Sequence, residues 1–185
     1  GRHAYQGYLN DECVTIAEAL KPAGYRTYMS GKWHCGGAYE VRRPETWRPG
    51  DEKHPTPVQR GFDEHFGILC GAGSYFFPPT LVRNDRLIKP ESMEFHLTDA
   101  ISDAAARMVH DAADAAEPFF LYVAYTAPHW PLHSWESYIE KYRGKYAGGW
   151  DAVRTARHET LKGSGLVDAR WPISPRDEDV PARPR

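Results

Sequence analysis

The chain carries almost no net field: 23 basic residues against 25 acidic ones leave a formal charge of -2. Without a cationic face there is nothing to draw in nucleic acid or an anionic membrane. The nearest basic stretch, "VRRPETWR", is broken by Pro44 and Glu45. Cysteine is scarce as well. Cys13, Cys35 and Cys70 are odd in number and widely spaced. They make neither a CxxC metal pair nor a disulfide framework, and buried or free thiols are expected. No window approaches the roughly 20 apolar residues of a membrane span. The chain opens at Gly1 with neither Met nor a signal-like stretch, so its natural N-terminus is expected upstream. Several reaction signatures are missing too. There is no GxSxG nucleophile elbow and no GxGxxG dinucleotide fingerprint. Acidic residues fall mostly on helix faces, which gives no specific pair of glycosidase carboxylates.

What is present is aromatic and irregular: six Trp, eleven Tyr and seven Phe stand beside fifteen Pro and sixteen Gly. That mixture suits a site built from loops on a rigid sheet. At 185 residues a single domain could bury roughly 70% of its unfolded surface, enough for a core.

Periodicity supplies an order of elements. "VTIAEALKPAGY" reads as a short helix, with Thr15 and Glu18 as a capping box and Gly24 as its stop. Arg26 to Ser30 reads as a strand closed by Gly31. From Trp33 to Gly61 the prolines predict a long loop. "GFDEHFGILCGAGSYFFPP" shows no clean period and is expected to be irregular packed loop. Thr98 to Ala115 has Ile101, Ala105, Met108 and Ala112 on one face, the pattern of an amphipathic helix, with Thr98 and Asp99 at its polar start. Pro118 to Tyr125 is a nearly continuous apolar run, expected as a central strand covered on both faces. "SWESYIEKY" and "WDAVRTARHETLKGSGL" predict two further helices, with Ser134 and Asp151 as caps and Gly163 or Gly165 as a stop. The proline-punctuated end, 171–185, reads as a connector. Helix-then-strand units repeated along one chain favour an α/β architecture.

Two strand exits carry candidate chemistry. The first ends in "SGKWH". A phosphate loop would need Gly at position 26 and Ser or Thr after the lysine; Arg26 and Trp33 stand there instead. Lys32 is then either a solvated lysine beside a packed Trp and a hydrogen-bonded His, or a point charge for an anion with His34 as proton carrier. The second exit is "TAPHWPLH". His129 and His133 lie four apart, but Pro128 and Pro131 exclude the helix that a zincin pair needs. His129 is either a satisfied loop histidine or the third member of a Lys/His/His group. Strand exits of open α/β sheets are where ligands bind, and such a group could hold an anion and move protons.

These segments resemble the formylglycine-dependent sulfatases of the alkaline-phosphatase superfamily. "GYRTYMSGKWH" is similar to that family's second signature. "GRHAYQGYLNDE", "RGFDEHFGILCGAGSYF", "PFFLYVAYTAPHWPLH", "KYRGKYAGGWDAVRTARHETL" and "WPISPRDEDVP" resemble the family over nearly all 185 residues. The resemblance implies an α/β fold: a partial alkaline-phosphatase-like sandwich with a mostly parallel central sheet flanked by helices and long loops. It implies that 1–185 is the central part of a sulfatase catalytic domain, incomplete at both ends. It implies a sulfuric ester hydrolase acting on aryl or carbohydrate sulfates.

For the matched positions it implies roles. Lys32 would hold the sulfate and the oxygen of the formylglycine hydrate. His34 would orient that hydrate and help collapse the sulfated intermediate. His129 would contact the sulfate on the leaving-group side. The family's nucleophile comes from a C/S-x-P-x-R motif that these 185 residues do not contain, so it is expected before Gly1. Ligands for the family's Ca2+ (or Mg2+) are not matched in this chain either, which alone is expected to be inactive. Family members are often exported, and no oligomeric state is implied. Substrate choice would fall to loop residues Tyr39 to Pro57, Tyr75 to Phe77 and Trp130 to Trp135. Other readings stay open: a phosphatase or phosphodiesterase of the same superfamily, a non-catalytic binder of sulfated glycans, or a truncated remnant.

Overall fold

The computed structural model describes residues 7–37, 46, 48–71 and 73–180. The sequence readings on Gly1 to Gln6, on most of "VRRPETWR", on Tyr39 and on the last five residues lie outside them. The chain divides into two compact units, Gly1–His133 and Ser134–Arg185.

The first unit is built on one open sheet. Thr15 caps α1 (Ile16–Leu20): its hydroxyl accepts from the Glu18 amide, and the Glu18 carboxylate accepts from the Thr15 amide. A single 3-10 turn with Pro22 follows, and Gly24 ends it in the left-handed conformation, φ 82°. The chain then enters β1 (Arg26–Lys32). Four more strands complete the sheet: β2 (Glu64–Ile68), β3 (Leu81–Arg83), β4 (Arg86–Leu87) and β5 (Phe119–Ala124). Their order is β4-β3-β2-β1-β5. β1 runs parallel to both β2 and β5, while β2, β3 and β4 pair antiparallel. The sheet is thus parallel around β1 and closes on the far side with an antiparallel hairpin.

Each face of the sheet has its own core. On one, α2 (Leu97–Ala115) buries Leu97, Ile101, Ala104, Met108 and Ala112 against Tyr28, Phe66, Ile68 and Leu81. Full burial of Ile101 or Met108 contributes roughly 1.5–3 kcal/mol each. The Ser30 hydroxyl, buried beneath the helix, donates to the Ile101 carbonyl at 2.7 Å. On the other face Ala17 of α1 joins Met29, Trp33, Phe62, Leu69 and Val82. A half-buried pair, Arg60 to Glu18 at 2.8 Å, ties the loop before β2 to α1.

Four expectations need correction. The segment read as irregular loop contains β2: "EHFGI" is packed on both faces, so no alternation marks it. The apolar run Pro118 to Tyr125 does form a strand, β5, but at an edge of the sheet, with Phe119, Tyr122 and Val123 exposed. β1 runs through Gly31 to Lys32, so that glycine lies inside the strand rather than closing it, while α2 starts at Leu97 with Thr98 and Asp99 in its first turn, the polar start expected of them. In the second unit, Trp135 precedes α3 (Glu136–Glu140) and Gly149, at φ 86°, precedes α4 (Trp150–Gly163). Neither Ser134 nor Asp151 is the cap. The Arg154 guanidinium donates to the Ser174 carbonyl and hydroxyl, and Arg176 pairs with Asp151 at 3.3 Å, which lays the irregular tail along α4.

Candidate functional site

β1 and β5 run parallel in register, Gly31 opposite Ala124, so both strands end at the same edge of the sheet. The residues that directly follow each strand leave from that edge. Lys32 is the last residue of β1 and is half-buried. Backbone pairing with the β2 side continues past it, the Trp33 amide donating to Ile68 O (2.9 Å) and the His34 amide to Leu69 O (3.1 Å). His34 then takes the left-handed conformation at φ 58°. For a non-glycine residue that costs roughly 1–2 kcal/mol. Strain of this kind gathers at functional sites, where the surrounding structure over-determines it.

Trp33 is structural. Its buried indole donates to the Pro55 carbonyl at 2.8 Å and meets the Phe62 ring edge-on at 6.3 Å. It points into the core and leaves its neighbours Lys32 and His34 to the sheet edge.

His129 arrives from the β5 side. Its amide donates to Thr126 O at 2.9 Å, and Nδ1 lies 2.5 Å from the Trp130 carbonyl. A carbonyl only accepts, so Nδ1 carries the proton and Nε2 is the nitrogen free to exchange one with a ligand. The peptide bonds before Pro128 and Pro131 on either side are cis.

Electrostatics link the three. His34 is held below the ordinary imidazole range, first by partial burial, then by the charges of Lys32 and of His129. Among the described residues Lys32 forms no ion pair with an acid. The result is a neutral imidazole beside an uncompensated cation and a second histidine, an arrangement suited to an anion and to proton transfer.

Other residues form the site without having been singled out in the sequence. Gly71 lies under the His34 ring: a Cβ there would stand 2.3 Å from Nε2. Gly31 and Gly67 let the three parallel strands close just before Lys32. A Cβ on Gly31 would lie 2.0 Å from the Ala124 oxygen, and one on Gly67 would lie 1.8 Å from the Gly31 oxygen. His65, fully buried in β2, donates from Nε2 to the Gly31 carbonyl at 3.2 Å. Only the punctuation by Gly31 left a trace in the sequence. Among the described residues no three His, Cys, Asp or Glu side chains gather as a metal-ligand set, and no helix is long and apolar enough to cross a membrane.

Comparison with known proteins places the chain in a family. The family model described as Sulfatase matches residues 2–172. An uncharacterised sulfatase of Schizosaccharomyces pombe is 34% identical over 182 residues, 90% of this chain and 30% of that protein. An arylsulfatase of Klebsiella aerogenes is 31% identical over 189 residues, 94% of this chain and 36% of its own length. The chain thus spans about a third of the length of the curated relatives it matches. Among solved structures, Ps i-CgsB in complex with k-i-k-neocarrahexaose superposes with a TM-score of 0.54 at 30% identity, over 68% of this chain and 29% of that one.

Proposed function

Since the chain belongs to the sulfatase family, we propose that the full-length protein is a sulfuric ester hydrolase acting on aryl or carbohydrate sulfates through Lys32, His34 and His129. The observation that carries this is the shared sheet edge: parallel strands in register deliver all three residues to it, and His34 responds to the charge of both others. Two relatives bear on the substrate class. One is an arylsulfatase, and one structural neighbour is bound to a neocarrahexaose.

Cleavage of a sulfate ester develops negative charge on the sulfuryl and leaving oxygens, and fixed cationic donors in a site stabilise it. Lys32 is a compact point charge for a sulfuryl oxygen. His34, held neutral, is placed to accept a proton near pH 7. Nε2 of His129, with Nδ1 tied to Trp130, is placed to donate one to the departing oxygen. The exposed Trp130 and Phe77 offer flat apolar faces for an aryl or sugar ring.

The family resemblance puts the nucleophile, a formylglycine, before Gly1. The Ca2+ (or Mg2+) it also implies would lend positive charge to the sulfate. The described residues do not supply a ligand set for it.

The test is sulfate release by the full-length protein from 4-nitrophenyl sulfate and from sulfated saccharides. Lys32→Ala should lower kcat by about 10²–10³-fold on either substrate, and His129→Ala by as much on the sulfated saccharides, whose alcohol leaving group needs its proton. Activity kept in both variants would sink the assignment. Preference for 4-nitrophenyl phosphate would move the protein to the phosphatase branch, and sulfate-dependent binding without turnover would make it a binder.

A further inference from the structure

Tyr75 lies outside the Lys/His/His group, yet two of its polar atoms hold the loop that carries His129 and a third ties it to α2. Its hydroxyl donates to the His129 carbonyl at 3.0 Å. Its amide donates to Nδ1 of His133 at 3.3 Å. Its carbonyl accepts from the Leu97 amide, at the first residue of α2, at 2.8 Å. The ring itself is buried, 2% exposed, and stacks on the buried His96 imidazole at 5.6 Å and 30°. Phe76 stacks on His133 at 5.8 Å and 28° on the same side.

The phenol is thus anchored at its base by a 19-residue helix packed across the sheet, while its tip reaches a loop that follows an edge strand. Burial pushes the phenol above its ordinary range, so the hydroxyl stays protonated and can only donate to a carbonyl. Residues 127–133 contain two prolines and no regular element. Beyond the His129 amide bond to Thr126 and its Nδ1 bond to the Trp130 carbonyl, the attachments of this loop among the described residues are those of Tyr75 and Phe76.

We propose that Tyr75 is a positioning residue: its hydroxyl clamps the His129 carbonyl to the α2 framework, so that Nε2 meets the leaving-group oxygen of the sulfate ester. This rests on the sulfatase reading above. Its chemical consequence is narrow. A nitrophenolate leaves unaided, whereas a poorer leaving group needs the proton that a well-placed His129 delivers. Loss of the clamp should therefore be felt in proportion to how badly the leaving group needs protonation.

The experiment compares the full-length wild type with Tyr75→Phe on 4-nitrophenyl sulfate and on phenyl sulfate. The substitution keeps the ring and its stack on His96 and removes only the donor. The expected result is a fall of about tenfold in kcat on phenyl sulfate and no more than about twofold on 4-nitrophenyl sulfate, with KM little changed. A variant that merely unfolds in part would lose both activities by one factor, because the ratio of two substrates does not depend on the fraction folded. An equal loss on both, or none on either, overturns the proposal.

If the wild type cleaves neither ester, the sulfatase reading is judged on the sulfated saccharides and the clamp by amide hydrogen exchange. Tyr75→Phe should speed exchange in the peptide covering 129–133 and leave that covering 119–124 unchanged. Equal protection of 129–133 in both proteins would overturn the clamp.

Discussion

His65 shows what the fold demands of a single side chain beside the site. Buried completely under β1, it donates to the Gly31 carbonyl from Nε2, while Nδ1 finds no hydrogen-bond partner among the described residues. A charged imidazole there would sit in a low-dielectric core, and burial accordingly pushes its pKa from 6.5 down to about 4. The unfolded chain takes up this proton near pH 6.5 and the folded chain only near 4. Between those values the unfolded state binds more protons, so stability is complete above pH 6.5 and drains away as the pH falls toward 4. The loss is on the order of 3 kcal/mol. Thermal melts from pH 7 to pH 4 should show a shallower decline for His65→Gln than for wild type, and parallel curves would contradict the account. His34 differs: solvent reaches it, and part of its displacement comes from Lys32 and His129.

At the level of elements, the decisive contact is the three-strand closure of β1, β2 and β5. Gly31 faces Gly67 on one side and Ala124 on the other, at φ 129°. That conformation is open to glycine and strained for other residues. A methyl group at position 31 would press on the Ala124 backbone 2.0 Å away, and backbone cannot swing aside as a side chain can. Gly31→Ala should therefore cost at least about 3 kcal/mol through strain and lost strand pairing. For a chain of this length that corresponds to a Tm lower by about 10 °C. A change of under 2 °C on the scale set by such shifts would mean that the strands separate freely here. The same glycine precedes Lys32, so whatever spreads these strands also displaces the site.

Across the whole molecule, the contrast is between the two sides of the sheet. The β2–β4 side ends in a short antiparallel hairpin, a common way to blunt an edge. The β5 side does not: among the described residues β5 has a partner only in β1, and Tyr122 is 49% exposed in its middle. An apolar edge strand is a template for pairing with another chain. Expressed as these 185 residues, the protein should associate at micromolar concentration, and Tyr122→Lys should shift it toward the monomer mass in sedimentation or light scattering. Monomeric behaviour of the unmodified chain would show that the edge is protected.

Local structure was legible in the residues themselves. Thr15 and Glu18 announce α1 because a capping box spans only four residues. The spacing of Ile101, Ala105, Met108 and Ala112 announces α2 because helix periodicity is a local property. The "SGKWH" and "TAPHWPLH" exits, read from strand and loop signals and from family likeness, identified Lys32, His34 and His129 as candidates. Other features depended on partners far away in sequence. β2 was missed because burial on both faces erases alternation, and β5 was misplaced because an apolar run does not reveal how many neighbours it has. Gly71 beneath His34, His65 beneath Gly31 and Tyr75 on the His129 carbonyl span 34 to 54 positions. The sequence by itself determined which short segments could form helix, strand or turn, since those preferences act within one or two turns of chain. Only the tertiary structure decided which strand ends share an edge, because register is settled by packing between residues that meet only after the sheet has formed.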